Sequence, residues 1–362
     1  MPALVAGIHA FLGSKQGVDG RDKPGHDDRW FSASGKTLAV MPLTRRTMLA
    51  LLASLPPASA FAASYPDRPV KLVVALAAGG PADTAARVFA PYLAEALGQS
   101  VFIENRTGAS SVIGTEAVVR AAPDGYTLLF GSSSSFAVNP AVMKNLRFDI
   151  QKDLKLVGLV SYTPHVLVTR ASLPVNTLGD LVALARQQPG KLTYASSGAG
   201  GAIHLASELF KREAGVDLVH VPYRGGGPAV IGLLSGDVDV FISDLSTTVE
   251  NIRGGRLKAL AMAWPTRSPF LPETPTFAEL NYPAVVSSSW FGLAAPAATP
   301  ADIIDRLTEA MQQVFQSPAY QAGLKKLGNE PFPLTPEQGA AFIKAEVDKW
   351  AAVARSANIQ VD

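Results

Sequence analysis

From Val70 onward, apolar residues arrive in two alternating rhythms. Val70–Leu76 (VKLVVAL) is a nearly unbroken apolar run, as expected of a strand buried on both faces. Ala82–Leu97 then places Val88, Phe89, Tyr92, Leu93, Ala96 and Leu97 at helical spacing and stops at Gly98, a suitable C-cap. The same reading predicts strands at Val101–Glu104, Tyr126–Phe130, Leu156–Val160, Val166–Thr169, Leu192–Ala195, Leu218–Val221, Val238–Ile242, Leu257–Ala263 and Ser287–Leu293. It predicts helices at Val112–Ala121, from the capping pair Thr177/Asp180 to Gln187, at Ala202–Ala214 closed by Gly215, and at Pro228–Leu234. The C-terminal part reads as three helices, Pro300–Gln316, Pro318–Leu327 and Pro336–Ser356, each opening on a proline that suits a first helical turn. Such alternation implies mostly parallel sheets covered by helices. No Gly/Ser linker separates two halves, so two α/β domains tied by more than one crossing are expected.

The first sixty residues break this rhythm. Arg45 and Arg46 precede an apolar run, Thr47–Leu55, that ends at Pro56-Pro57 and is followed by small residues around Ala58–Ala62. That is the layout of a secretory signal peptide, and the run is too short to span a bilayer. The paired arginines loosely match a twin-arginine signal, but an ordinary Sec signal is the preferred reading. A signal peptide works at an N-terminus, so residues 1–40 are expected to be an upstream extension from a misassigned start, with translation beginning at Met41 and residues 41–63 removed on export.

Composition then excludes several classes. The 362 residues suit two domains of ordinary size and include no Cys, so disulfides, thiolate zinc sites and cysteine nucleophiles are ruled out. Net charge is +2, but residues 1–63 hold 7 of the 32 basic and 4 of the 30 acidic residues, which leaves the mature chain near −1 and gives no electrostatic case for nucleic acid. The sequence lacks Gly-x-Ser-x-Gly and His-Glu-x-x-His, and Gly198-x-Gly200 continues to Ile203 rather than a third glycine, so the dinucleotide fingerprint fails. His165, His204 and His220, the three histidines of the mature chain, lack metal-ligand spacing. No enzyme, metal site or cofactor is expected.

What recurs is a strand, a loop of glycine and small polar residues, and a helix start. The loops are Gly79–Asp83, Asn105–Ser111, Gly131–Ser135, Ser196–Gly201 and Pro222–Gly227. In parallel α/β sheets such loops gather at the carboxyl ends of the strands, where helix N-termini favour an anion. Hydroxyls and amides outnumber charges in them, which fits reversible binding of a small polar ligand. Several residues carry a second reading. Asp83 caps its helix or meets the ligand, Ser196 and Ser197 shape a turn or a site, and His204 packs, caps or binds. Tyr223 and Arg224 equally suit half-buried packing and a solvated loop.

A longer series of motifs then resembles one family. Tyr65-Pro66-Asp67-Arg68-Pro69-Val70, Gly79-Gly80-Pro81-Ala82-Asp83, Glu104-Asn105-Arg106, Ala122–Leu128 (APDGYTL), Leu192–Ser196 (LTYAS), His204-Leu205-Ala206, Val219–Tyr223 (VHVPY) and Ser289–Leu293 (SWFGL) with Ala295-Pro296 follow one another in order. They resemble the substrate-binding proteins of tripartite tricarboxylate transporters, the Bug family, over essentially all of Tyr65–Asp362. The resemblance implies a type 2 periplasmic-binding-protein fold, with two α/β domains joined by a two-crossing hinge and a ligand cleft between them. Residues 64–165 and 284–362 would form domain I and residues 166–283 domain II. It implies a periplasmic, monomeric receptor that captures a small organic acid and passes it to membrane permease subunits. A receptor for a two-component signalling system and a secreted enzyme on the same fold are the alternatives.

Carried over by motif, the implied ligand contacts are Gly80, Ala82 and Asp83, then Ser132 and Ser133, then Ser196, Gly198 and Gly200, and Ser243 and Asp244 after the strand ending at Ile242. Here the sequence departs from the family. Leu76-Ala77-Ala78 stands where members often carry Phe-Pro-Pro, Ser243-Asp244 where many carry Asp-Asn, and Gly201 and Ala202 replace frequent hydroxyl residues. A less polar cleft follows, suited to a monocarboxylate or an aromatic acid at least as well as to a citrate-like tricarboxylate.

Overall fold

The computed structural model describes residues 65–361; the expected upstream extension (1–40) and signal peptide (41–63) lie outside them. The chain opens with β1 (Val70–Val74), α1 (Pro81–Leu97), β2 (Val101–Asn105), α2 (Val112–Val119) and β3 (Thr127–Ser132). β1 pairs in parallel with β2 on one side and β3 on the other. A π-helical turn, Ser134–Val138, runs into the short helices α3 (Asn139–Val142) and α4 (Ile150–Asp153).

β4 (Leu154–Arg170) follows. It is one strand of 17 residues where the apolar pattern predicts two. Pro164 does not end it, because the strand changes partners there and the next amide, His165 N–H, donates to Ser287 O at 3.3 Å. After it come α5 (Leu178–Gln187), β5 (Thr193–Ser196), α6 (Ala202–Ala214), β6 (Val219–Pro222), α7 (Gly226–Ser235), β7 (Val240–Asp244), α8 (Leu245–Arg253) and β8 (Leu257–Met262). The return leg is β9 (Ser288–Pro296), α9 (Ala301–Gln316), α10 (Pro318–Lys326), β10 (Glu330–Pro331) and α11 (Pro336–Ser356). The sequence reading omits α8, although Leu245, Val249 and Ile252 share one helical face.

β4 ties two sheets together. Its first part, Leu154–Pro164, pairs antiparallel with β9, which carries on to β3, β1 and β2. Its last part pairs with β7 from His165 and with β8 from Val166, and β7 leads on to β5 and β6. A second segment crosses beside it: Ser287 N–H donates to Ala263 O at 2.7 Å, and Ala263 N–H donates to His165 O at 2.8 Å. The class is therefore α/β, with two sheets joined by two adjacent crossings.

Helical faces explain the packing. α1 buries Ala82, Ala85, Ala86, Phe89, Ala90, Leu93 and Leu97 against the first sheet; of the stripe read from spacing, Phe89, Leu93 and Leu97 are buried, while Val88, Tyr92 and Ala96 are half-buried at its edge. α11 is held by a buried polar anchor: Glu346 accepts from Trp350 Nε1 at 3.0 Å and from Trp290 Nε1 of β9 at 3.5 Å, and it pairs with Lys349. A fully buried indole N–H without a partner would cost about 1–3 kcal/mol, so this carboxylate fixes how α11 sits on β9.

Candidate functional site

The five glycine and small-residue loops meet around one cavity of about 310 Å³. Pro81 and Ala82 come from the first loop, Ser110 from the second and Ser132–Ser134 from the third. Ser197–Gly201 come from the fourth, and Gly225 and Gly226 from the fifth. Larger hollows lie beside α11 and beside Phe270, but those five loops do not converge on either. Both sheets contribute because the loops follow the carboxyl ends of β1, β2, β3, β5 and β6.

Three helices start at this cavity with glycine at the N-cap: Gly80 for α1, Gly201 for α6 and Gly225 for α7. None of the three helices has a side-chain cap. Ser or Asp at these positions would occupy the first N–H groups of each helix. Glycine leaves them free, so three positive dipole ends face one small space. That arrangement suits a carboxylate without any arginine, and the lining includes no Arg, Lys or His.

The loops are held from behind by buried polar groups. In the first, Asp83 accepts from Gly79 N–H at 2.8 Å, Arg87 Nε at 2.8 Å and Asn105 Nδ2 at 3.0 Å. Burial pushes the Asp83 carboxyl up, but the hydrogen bonds from Arg87, Gly79 and Asn105 outweigh it and hold its pKa below the ordinary value. In the second, Ala109, Ser110 and Ser111 all take left-handed φ angles of 44°, 51° and 78°, a costly run for residues with a Cβ. Asn139 offsets that cost by donating to Ser110 O at 2.6 Å and Ser111 Oγ at 3.2 Å.

The fourth loop rests on a pair of histidines. Gly200 N–H donates to His204 Nδ1 at 3.0 Å, and Ser196 Oγ lies 2.6 Å from His220 Nε2 while accepting from Gly198 N–H at 3.2 Å. Gly225 N–H donates to Ser197 O at 3.2 Å, which joins the fifth loop to the fourth. Gly200, at φ +74°, also sits against Val361: a Cβ there would overlap Val361 Cγ2. Val361 N–H in turn donates to Val142 O at 3.1 Å, so the C-terminal segment closes one side of the cavity.

Of the ten residues implied by motif, the structure brings Ala82, Ser132, Ser133, Gly198, Gly200 and Asp244 to the cavity wall. Four lie behind it. Gly80 shapes the turn before α1, its N–H donating to Ala77 O at 3.2 Å. Asp83 is spent on its three donors. Ser196 is fully buried under the fourth loop, and Ser243 is fully buried with its hydroxyl 3.0 Å from that of Thr248. His204 holds the loop rather than lining the cavity, and Tyr223 packs against Gly232. The motif reading misses Asn139, Ser289, Phe291 and Val361 as wall residues. Ser289 and Phe291 were visible within a recognised motif; nothing in the local sequence marks Val361.

The fold and this cavity together define a two-lobed periplasmic-binding-type protein. The family model described as the tripartite tricarboxylate transporter family receptor matches residues 85–359. Protein BugT of Bordetella pertussis (strain Tohama I) is 40% identical over 293 residues, covering 81% of this chain and 90% of BugT. Among solved structures, periplasmic binding protein BugD superposes with a TM-score of 0.71 at 34% identity, covering 82% of this chain and 99% of BugD. R. palustris Rpa4515 with adipate gives 0.74 at 34%, with 82% and 99% covered. The chain belongs to the tripartite tricarboxylate transporter receptor family, the Bug proteins, which are solute-binding receptors and not enzymes. Among the described residues no helix is long and apolar enough to cross a membrane.

Proposed function

We propose that this protein is an extracytoplasmic receptor that captures a small carboxylate solute in the 310 Å³ cavity and delivers it to the membrane permease of a tripartite transporter. The observation that carries this reading is the convergence of three uncapped, glycine-started helix N-termini on that cavity. Adipate bound to the similar R. palustris protein supports the carboxylate class.

In this reading the chain is exported with residues 41–63 as its signal peptide and works in the periplasm as a monomer. Residues 64–165 with 284–362 form domain I and residues 166–283 form domain II, and closure turns on the paired segments at His165 and Ser287. Ala82, Ser132, Ser133, Gly198 and Gly200 are the ligand contacts among the motif residues, with Asp244 at the hinge side. Asp83, Ser196, Ser243 and Gly80 hold the walls in place.

The test is thermal unfolding of residues 64–362 with a panel of small mono- and dicarboxylates. A ligand at ~100 times its Kd adds about 2.7 kcal/mol, a readily measured rise in Tm. A rise confined to carboxylates is the expected result. A rise with neutral sugars or amines alone would defeat the proposal.

A further inference from the structure

Asp244 supplies the one charged side chain in the lining of the cavity. It ends β7 and occupies the N-cap position of α8, where an aspartate ordinarily accepts from the helix's first N–H groups. Here it makes no such cap. The residue is only 7% exposed. Its Oδ1 is buried without a hydrogen-bond partner, 3.3 Å from His165 Nε2 but poorly aligned with it. The imidazole is already placed between two hydroxyls, Ser287 Oγ at 2.7 Å from Nδ1 and Ser289 Oγ at 3.2 Å from Nε2. His165, on the β4 crossing, is the titratable group paired with Asp244. A carboxylate can accept about four hydrogen bonds, so nearly all of this one's capacity is unmet by the protein.

A buried carboxylate that neither caps its helix nor has a well-aligned partner is costly, and it is compatible with a binding site only if the ligand completes it. A second carboxylate on the ligand would do the opposite. In a cavity of about 310 Å³, every ligand charge lies within roughly one Debye length of Asp244 and is poorly screened. We infer that the solute is a carboxylic acid whose other polar group is an N–H donor, an ammonium or a primary amide, with the carboxylate at the helix N-termini and the nitrogen on Asp244. This assignment rests on the receptor reading above and narrows its substrate class.

The test is calorimetric titration of residues 64–362 with three matched series of four, five and six carbons: the α,ω-dicarboxylate, its monoamide and the ω-amino acid. The wild type is expected to bind the amino acid or monoamide of at least one length ten-fold or more tighter than the matching dicarboxylate. Asp244→Asn is expected to reverse that order by a similar factor. Asp244→Ser provides a smaller uncharged replacement, and melting curves of both variants show whether each is folded. A wild type that prefers the dicarboxylate at every length, or a preference unchanged in both folded variants, overturns the assignment while leaving the receptor reading in place. No binding of any series member or of a wider carboxylate panel overturns the receptor reading and the assignment with it.

Discussion

The imidazole rings of His204 and His220 stack with centroids 3.9 Å apart and planes within 10° of parallel, directly behind the Ser196–Gly201 loop. Tyr194 continues the stack at 4.9 Å from His220, and its hydroxyl donates to Glu208, which also pairs with Lys211. Gly200 N–H needs a lone pair on His204 Nδ1, so the loop is held only while that nitrogen is unprotonated.

This stack predicts a pH dependence of stability. Burial, followed by the charge His220 would carry, lowers the pKa of His204 to about 4, with Glu208 opposing and Lys211 adding to the shift. Burial lowers that of His220 as well. A histidine depressed in the fold takes up its proton first in the unfolded chain. Above its ordinary value of 6.5 neither state is charged and the group contributes nothing; as pH falls from there to about 4, the unfolded state gains protons and stability declines. The loss from His204 is on the order of 3 kcal/mol at most. Urea unfolding of wild type and His204→Gln between pH 7.5 and 4.5 should show a shallower decline in the variant. Parallel declines would mean that His204 does not titrate as its surroundings imply.

Gly200 and Val361 test whether the C-terminal segment is a working wall of the cavity. Gly200→Ala adds a Cβ that overlaps Val361 and places a side chain at φ +74°, at a backbone cost of about 1 kcal/mol. Ligand affinity should fall about ten-fold. In Gly200→Ala/Val361→Ala the steric part is relieved, so the double variant should bind more tightly than Gly200→Ala alone. Strictly additive losses in the cycle would show that the two residues are not coupled.

The α/β alternation, the helices with their glycine stops and the five loops that meet at the cavity were legible because each is written in local spacing. α6 ends at Gly215 in the left-handed region, as its sequence implies. What was not legible depended on distant partners. Leu156–Val160 and Val166–Thr169 read as two strands, and only their pairing with β9 and β7 makes them one. Asp83 allowed two roles from sequence, cap or ligand contact; it does not cap α1, and the role it takes instead involves Asn105, 22 residues away. Val361 became a wall residue through Val142 and Gly200, which no window around the C-terminus contains.

Asp83→Ala should therefore act on stability first. The substitution takes an acceptor from the half-buried Asn105 amide, which keeps Leu76 O, from the exposed Gly79 N–H and from Arg87, a loss of about 1–2 kcal/mol. The depressed pKa gives the sign with pH: the wild-type carboxylate contributes fully above its ordinary value of 3.8 and loses that contribution as pH falls through the lower folded value. Thermal melts at pH 7 should show a clear drop in Tm. An unchanged Tm with abolished ligand binding would return Asp83 to the cavity.

Ser132→Ala should separate the two properties in the other direction. Ser132 lines the cavity, is 5% exposed, and its Oγ is buried with no hydrogen-bond partner in the protein. A hydroxyl kept dry and unpaired costs the apo fold about 1–3 kcal/mol, so its removal should leave Tm unchanged or raise it. In the proposed receptor this oxygen meets the bound solute, and losing that hydrogen bond should weaken binding about ten-fold. Melting curves and titrations of one variant therefore move in opposite directions. A fall in Tm with affinity intact would mark Ser132 as a structural residue and remove it from the binding surface.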